Sequence, residues 1–248
     1  MTDCTLGTVM IRLNKYLSLC GVTSRRGADA LIVEGRVTVN DSRIEELGTL
    51  IDESIDVVKV DDMEVWPVAE QVYVVLNKPP GVMTTLKDPF GRKTIIHYLG
   101  DLETRVYPVG RLDYDTEGVL LLTNDGDLAY RLAHPKFQVK KVYEARVEGL
   151  FTSEAASQIE RGIKLEDGNI GRGKVRVVSQ QKNVTKIRLE LTEGRKREVK
   201  QLCRATGHPV MQLRRREFAG ITARGLKLGK WRHLNMAEVR SLKELVNL

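Results

Sequence analysis

The stretch 110–126 constrains the fold more than any other part of the sequence. Its apolar run 119–122 is bounded by turn-forming residues and is too short for a helix, so it predicts a buried strand. The following Asn124-Asp125-Gly126 is typical of a tight turn with positive φ angles. Asp113 precedes the strand, next to a polar turn, where a reactive carboxylate would be held at the edge of a rigid sheet. The alternative is a turn aspartate that caps local backbone groups.

Charge distribution indicates a polyanionic partner. The chain has 248 residues, 42% of them hydrophobic, and a net charge of +7, which suits one large and one small domain with a basic surface. Residues 182–232 hold fifteen Lys or Arg and four Asp or Glu, so this segment carries +11 and the remainder is slightly acidic. Within it, Arg214, Arg215 and Arg216 lie in an alternating, strand-like context. Adjacent arginines should face opposite sides of a sheet, and at least one should need an anionic partner.

Several protein classes are not favoured by the sequence. Cys4, Cys20 and Cys203 are widely spaced and lack companion histidines at ligand spacing, so we expect reduced thiols. No apolar stretch approaches the roughly 20 residues that span a bilayer, and no secretory signal pattern begins the chain. The sequence therefore predicts a soluble cytoplasmic protein. It has no phosphate-binding glycine loop, Cys/His cluster or dinucleotide fingerprint, so no cofactor and no metal are expected.

The amino-terminal segment 11–41 predicts two helices followed by a strand at 37–39. Ser24 stands where an N-cap would begin the second helix. Arg25 and Arg26 would then occupy its first turn, where positive charge is unfavourable with the helix dipole. An external anion such as a phosphate backbone would compensate them. The alternative for this segment is a small helical dimerisation or structural module with a charged surface.

A second core is predicted from residue 72 onward. Strands outnumber helices and do not alternate strictly with them, so we expect an α+β domain around a mixed, mainly antiparallel sheet. The apolar runs that predict strands are 72–76, 119–122, 142–147, 175–178, 187–191 and 210–213, and the helical patterns are 127–133, 153–162 and 197–206.

Four motifs in one order give the chain a family resemblance. They are Asn77-Lys78-Pro79-Pro80-Gly81, GRLDYDTEG at 110–118, Lys141-Val142-Tyr143 and EGRKREVK at 193–200. Together they resemble the pseudouridine synthases, specifically the ribosomal RNA branch typified by RsuA and RluB. The segments RLNKYL, SRR and EGRVTVN within 12–40 resemble the S4 RNA-binding domain. The resemblance spans about 11–234 and implies an S4 domain with linker in 1–69 and a pseudouridine synthase catalytic domain in 70–248.

The resemblance also implies catalytic roles. Asp113 would be the nucleophile, Tyr143 would lie against the target base, and Lys200 would favour the ionised carboxylate. Whether the carboxylate attacks the sugar or the base stays open. Without the motifs, Tyr143 could be a strand tyrosine that packs in the sheet, and Lys200 an ordinary solvated lysine on a helix.

The expected partner is ribosomal RNA, large-subunit more than small-subunit, or a ribosomal assembly intermediate, bound by a monomer. Arg111 would fill the space left when the target base is flipped out. The residues expected to contact RNA are Arg12, Lys15, Ser24, Arg25, Arg26, Arg36, Lys78, Arg111, Arg195, Arg197, Arg214, Arg215 and Arg216.

Two other functions compete with this hypothesis. One is a non-catalytic RNA-binding factor for ribosome assembly. The other is a nucleoside hydrolase or glycosidase that uses Asp113 and Asp115 and releases free uracil.

Overall fold

A computed structural model describes residues 10–68, 70–100 and 102–248. The chain divides into two compact units, the first ending at Gln71 and the second beginning at Val72, and each unit has its own hydrophobic core. Cys4 lies outside the described residues. Within the described ranges, no helix is long and apolar enough to cross a membrane.

The first unit packs two helices against short strands. Its core includes Tyr16 and Ile32 from the helices and Ile51 from a strand, all essentially inaccessible to solvent. Ser24 caps the second helix as predicted, because its hydroxyl accepts the Gly27 amide at 3.1 Å. The elements are β1 Met10–Arg12, α1 Leu13–Leu19, α2 Arg25–Val33, β2 Val37–Val39, β3 Ser42–Ile44, β4 Leu50–Asp52, β5 Val58–Val60 and β6 Met63–Glu64. The strands form two antiparallel sheets, in the order β3-β2-β5-β6 and β1-β4.

The second unit is built on one long sheet. Its strand order is β13-β14-β10-β15-β9-β7-β17, with β8 beside β9 and β16 beside β15. The strands are β7 Tyr73–Lys78, β8 Tyr107–Pro108, β9 Glu117–Thr123, β10 Lys141–Glu148, β11 Ile163–Lys164, β12 Ile170–Gly171, β13 Lys174–Gln181, β14 Val184–Leu191, β15 Val210–Phe218, β16 Ile221–Thr222 and β17 Trp231–His233. The helices are α3 Gly126–Ala133, α4 Ser153–Arg161, α5 Glu198–Ala205 and α6 Met236–Leu245, with 3-10 turns at Ile95–Tyr98 and Pro135–Phe137. Among the described strands of this sheet, every pairing is antiparallel except that of β9 with β15, so the prediction of a mixed, mainly antiparallel sheet in an α+β domain is confirmed.

The predicted buried strand is buried on both faces. Leu120 and Leu122 of β9 belong to one core cluster, whereas Val119 and Leu121 belong to a second cluster on the other face. A strand that is covered on both sides should be apolar at every position, and this explains why 119–122 shows no alternation.

Two features of the second unit depart from the sequence expectations. Asn124-Asp125-Gly126 does not make a positive-φ turn; instead Asp125 is the N-cap of α3, and its carboxylate accepts the Leu128 amide at 3.0 Å. Asp is as well suited to a helix N-cap as to a turn, so the tripeptide alone does not decide between them. The elements β17 and α6 were not predicted, although Asn235 and Glu238 form a capping box at the start of α6.

Gly118 occupies the point where the two halves of the long sheet meet. Strands β9 and β15 pair in parallel over only two positions, Glu117 with Arg214 and Gly118 with Arg215. Gly118 has a φ of 110°, and a Cβ atom there would lie 2.1 Å from the Arg215 carbonyl oxygen. Only glycine combines this backbone conformation with so close an approach.

We expect Gly118→Ala to lower the free energy of unfolding by at least about 1–3 kcal/mol, from backbone strain alone. Urea denaturation followed by circular dichroism measures the change. Gly100→Ala is the matched control, because Gly100 has no neighbouring atom within 4 Å of the added Cβ and no positive φ. Equal stability of the two variants would contradict the close approach of β9 and β15.

Candidate active site

The loop that carries Asp113 is fixed on both sides of that residue. Leu112 is buried, and its backbone amide and carbonyl both bond the Thr84 hydroxyl, at 3.2 and 2.7 Å. Thr116 is also buried, and its amide donates to the Asp113 carbonyl at 3.1 Å. The Asp113 side chain itself is 34% exposed. A rigid backbone therefore presents a carboxylate that a ligand can reach.

Lys78 is the main anchor of this loop. It ends β7 with no exposed surface, and its ammonium donates to the carbonyl oxygens of Pro79 (3.1 Å), Asp113 (3.2 Å), Tyr114 (3.4 Å) and Thr116 (2.9 Å). Burial lowers its pKa to about 8, against the opposing effect of the nearby carboxylates. The expected contact of Lys78 with an RNA backbone is therefore wrong, because every proton of the ammonium points into the protein.

Lys200 on α5 is shared between two carboxylates. Its ammonium lies 3.8 Å from Asp113 Oδ2 and makes a closer hydrogen bond to Asp115 Oδ1. Partial burial opposes the charge of Asp115, but the hydrogen bond and charge of Lys200 outweigh it, with help from Arg197, so the Asp115 pKa is below its ordinary value. Lys200 therefore lies within ion-pair distance of Asp113, and Asp115 competes for it.

Asp113 and Tyr143 line one small pocket of about 90 Å³. Tyr143 projects from the middle of β10 and is 8% exposed. Val199 and Leu213 add apolar wall, and Arg111 belongs to the same lining. The pocket therefore combines a carboxylate with apolar side chains against which a planar ring could pack.

Cationic side chains surround the pocket. Arg111 and Arg197 line it, are exposed, and make no ion pair within the described residues. Arg197 has a left-handed backbone with φ 53°, which costs about 1–2 kcal/mol for a non-glycine residue. Arg195 also lines the pocket, but its guanidinium is paired with Glu193 at 2.7 Å and Asp167 at 3.4 Å. Arg111 and Arg197 are therefore the cations best placed to meet an anionic ligand.

The three consecutive arginines have three different environments. Arg214 lies 3.7 Å from the Glu117 carboxylate, and Arg216 is exposed. Arg215 is only 2% exposed; its Nε donates to the Val119 carbonyl at 2.7 Å, and its guanidinium lies 4.7 Å from the Phe218 ring centre. Arg215 is therefore buried within the sheet, although it lines the Asp113 pocket, and its expected contact with RNA stays a prediction.

Two titratable residues of the pocket had no predicted role. Lys141 donates to the carbonyls of Val139 at 2.9 Å and Thr192 at 3.2 Å, and burial lowers its pKa to about 8. Glu198 accepts the Arg195 amide at 3.0 Å, and burial raises its pKa. The sequence does contain a signal for Lys141. It lies two residues before Tyr143 in one motif, and residues two apart in a strand point to the same face of the sheet.

In the first unit, the residues expected to contact RNA differ in their exposure to solvent and in their hydrogen bonds within the protein. Arg25 and Arg26 are exposed at the start of α2, and Arg12 is exposed at the N-cap of α1. Lys15 is half-buried in α1, and the Ser24 hydroxyl is engaged in capping. The Arg36 guanidinium is held by Asp61 at 2.5 and 2.8 Å and by Glu34 at 3.4 Å. Arg36 therefore ties the end of α2 to the turn between β5 and β6.

The described part of the chain contains no group of three or more His, Cys, Asp or Glu side chains arranged to hold a metal ion. Cys20 and Cys203 are free thiols. Burial raises the pKa of both to about 12, so neither is a ready nucleophile.

Comparison with known proteins defines the class to which this fold and pocket belong. Residues 72–205 match the RNA pseudouridylate synthase family, and residues 11–57 match the S4 domain. The chain is therefore a member of the RNA pseudouridylate synthase family with an amino-terminal S4 domain, and it is an enzyme of that class.

Its similarity to particular proteins extends over nearly the whole chain. It is 44% identical over 239 residues to an uncharacterised RNA pseudouridine synthase of Aquifex aeolicus, covering 96% of each chain. It is 42% identical over 240 residues to ribosomal large subunit pseudouridine synthase B of Bacillus subtilis, covering 96% of this chain and 98% of the relative. A crystal structure of a pseudouridylate synthase superposes with a TM-score of 0.67 at 25% identity, covering 94% of this chain and 99% of that one.

We expect Lys78→Met to reduce turnover by roughly tenfold to a hundredfold, because the Asp113 loop loses its anchor and shifts. RNA affinity should change little, since the ammonium contacts only protein carbonyls. Single-turnover pseudouridine formation and equilibrium RNA binding separate the two effects. Lys87→Met, which removes an exposed lysine, is the control. A loss of affinity with normal turnover would show that Lys78 contacts RNA after all.

Proposed function

We propose that this protein isomerises uridine to pseudouridine in large-subunit ribosomal RNA, with Asp113 as the nucleophile. The observation that supports this most is the shared pocket of Asp113 and Tyr143, with the Lys200 ammonium 3.8 Å from the carboxylate. The choice of RNA rests on the Bacillus subtilis relative, which is named for the large ribosomal subunit.

The chemistry suits a carboxylate. The bond between ribose C1′ and uracil N1 breaks, the base turns, and C5 bonds to C1′. C5 then loses a proton and N1 gains one, so the atoms of the nucleotide are unchanged in number. Asp113 forms a covalent intermediate with the sugar or the base and is released at the end, so the carboxylate is regenerated. Lys200 favours the charged carboxylate before attack and after release.

The pocket geometry calls for a flipped nucleotide. Tyr143 is 8% exposed and lies with Asp113 in a small pocket that a paired and stacked uridine cannot enter. The uridine must therefore leave its stack, at a cost of a few kcal/mol. Tyr143, Val199 and Leu213 offer that base a largely apolar surface. Arg111 and Arg197 meet the flanking phosphates at the pocket mouth, and these charge-assisted contacts offset part of the unstacking cost.

The arrangement of carboxylates disfavours the glycosidase alternative. Asp113 and Asp115 lie in one turn and share the Lys200 ammonium, so they approach a substrate from one side. Glycosidases need two carboxylates on either side of the scissile bond, about 5 Å or more apart. Asp115 also does not line the Asp113 pocket.

Asp113→Asn should abolish pseudouridine formation and leave RNA affinity nearly unchanged, because the amide keeps the shape but cannot act as the nucleophile. Asp115→Asn should retain most of the turnover. Pseudouridine mapping in ribosomal RNA transcripts measures both variants, and mass spectrometry should show product RNA of unchanged mass with no free uracil. An active Asp113→Asn variant would remove Asp113 from the mechanism.

The fragment 70–248 should bind RNA more weakly than the full chain, with a smaller dependence of affinity on salt. The S4 unit carries Arg12, Arg25 and Arg26 at its surface, and each lost phosphate contact removes about 0.7–0.9 from the slope of log affinity against log salt. The fragment retains its own core, so circular dichroism should show a folded protein. An unchanged slope would argue against RNA binding by the S4 unit.

A further inference from the structure

The sheet face opposite Tyr143 carries a concave basic surface, here called the basic groove. It has a volume of about 730 Å³ and is lined by β10, β14, β15 and the segment 222–227. Val142 lines the groove, whereas its neighbours Lys141 and Tyr143 line the Asp113 pocket. Because successive strand residues point to opposite faces, the groove and the pocket lie on opposite sides of the sheet.

The groove has an excess of positive charge that the protein does not neutralise. Its lining has seven Lys or Arg side chains and two Glu side chains. Lys140 is paired with Glu217 at 3.3 Å. Four other cations of the lining are exposed and make no ion pair with any described residue: Arg188, Arg216, Arg224 and Lys227.

One backbone feature contributes to this concentration of charge. Arg216 falls at a register shift between β10 and β15, where Tyr143 pairs with Arg215 and Val142 pairs with Glu217. Such a bulge redirects side chains, and both Arg216 and Glu217 line the groove. Arg188 lies between Arg176 on β13 and Glu144 on β10, and Glu144 is itself paired with Lys186 at 3.0 Å.

A solvated charged face is the ordinary explanation for exposed arginines, but it does not account for four exposed cations that line one concavity and make no ion pair with a described residue. Unpaired cations around one concavity attract a partner with repeated negative charge. They come from separate segments, β14, β15 and 222–227, so they suit an extended polyanion better than a single small ion. RNA is the polyanion on which this enzyme class acts.

We propose that the basic groove binds the phosphate backbone of a second segment of the substrate RNA, away from the uridine in the Asp113 pocket. This inference rests on the proposed action on ribosomal RNA. It adds that the RNA reaches around the edge of the sheet, so that a long RNA contacts both faces.

The test compares two double variants with the wild-type full chain. Arg188→Gln with Arg224→Gln removes two groove cations. Arg204→Gln with Arg240→Gln removes two exposed arginines on α5 and α6 that line none of the described cavities and make no ion pair with a described residue. The affinity for a fluorescent transcript of large-subunit ribosomal RNA is measured over a range of KCl concentrations. Thermal melting checks that both variants are folded.

The groove variant should bind more weakly and lose about 1.4–1.8 from its salt slope, as expected for two phosphate contacts. The control variant should keep the wild-type slope. As a second measurement, a photocrosslinking residue in place of the exposed Thr222, which lines the groove, should crosslink to the transcript.

Equal slopes for the two variants, or no crosslink at position 222, would overturn the proposal. Binding is measured without turnover, so the two proposals can fail separately. If the wild-type protein forms no pseudouridine, the proposed function fails while the slope comparison still stands. If the protein is active but the slopes are equal, only the groove proposal fails.

Discussion

The candidate site depends on one buried ammonium group. The ammonium group of Lys78 is buried and donates hydrogen bonds to backbone carbonyls, three of them in the loop 113–116. Burying an ammonium group costs free energy unless hydrogen bonds compensate it. A change in the loop conformation would break these hydrogen bonds and leave the buried charge unsatisfied. The loop is therefore held in one conformation by Lys78 at the end of β7, and the backbone of Asp113 is fixed with it.

The junction between β9 and β15 explains why a cleft forms in the middle of the sheet. The two strands pair over two residues only, so the ladder does not continue to Val119. The side chain of Arg215 bonds the Val119 carbonyl in place of a backbone amide. Arg215 lines both the pocket and the basic groove. Its guanidinium group thus lies between the two cavities, where backbone hydrogen bonds between β9 and β15 are absent.

Local features of the sequence predicted much of the architecture. The run 119–122, the cap at Ser24 and the helices α3, α4 and α5 follow from short-range patterns, and all are present to within a residue or two. The resemblance of the motifs to a known family predicted that Asp113 and Tyr143 would lie in one site, and they line the same pocket. The burial of Lys78 and of Arg215 was not predicted, and both cases have the same physical reason.

Both cations are buried against carbonyls that lie far away in the sequence, and Lys78 is 38 residues from Thr116. Residue type alone predicts a solvated lysine or arginine. The carbonyls that satisfy them have no sequence signature, because every residue has one. The C-terminal β17 was missed for a related reason, because the edge of β7 with which it pairs exists only in the folded sheet. Helix α6 does have a local signal in the sequence, the capping box of Asn235 and Glu238.

Because Lys200 lies near both Asp113 and Asp115, charge is distributed unevenly between the interior and the rim of the site. Around the Asp113 loop, the cations Lys78, Lys200 and Arg215 lie near the anions Asp113, Asp115 and Glu117, so the formal charges there balance before anything binds. Arg111 and Arg197 at the rim are exposed and make no ion pair within the described residues. A nucleotide has the same division, with an uncharged ring and a charged backbone. In the proposed complex, the uncharged ring enters the interior, where the charges balance, and the phosphates meet the cations of the rim.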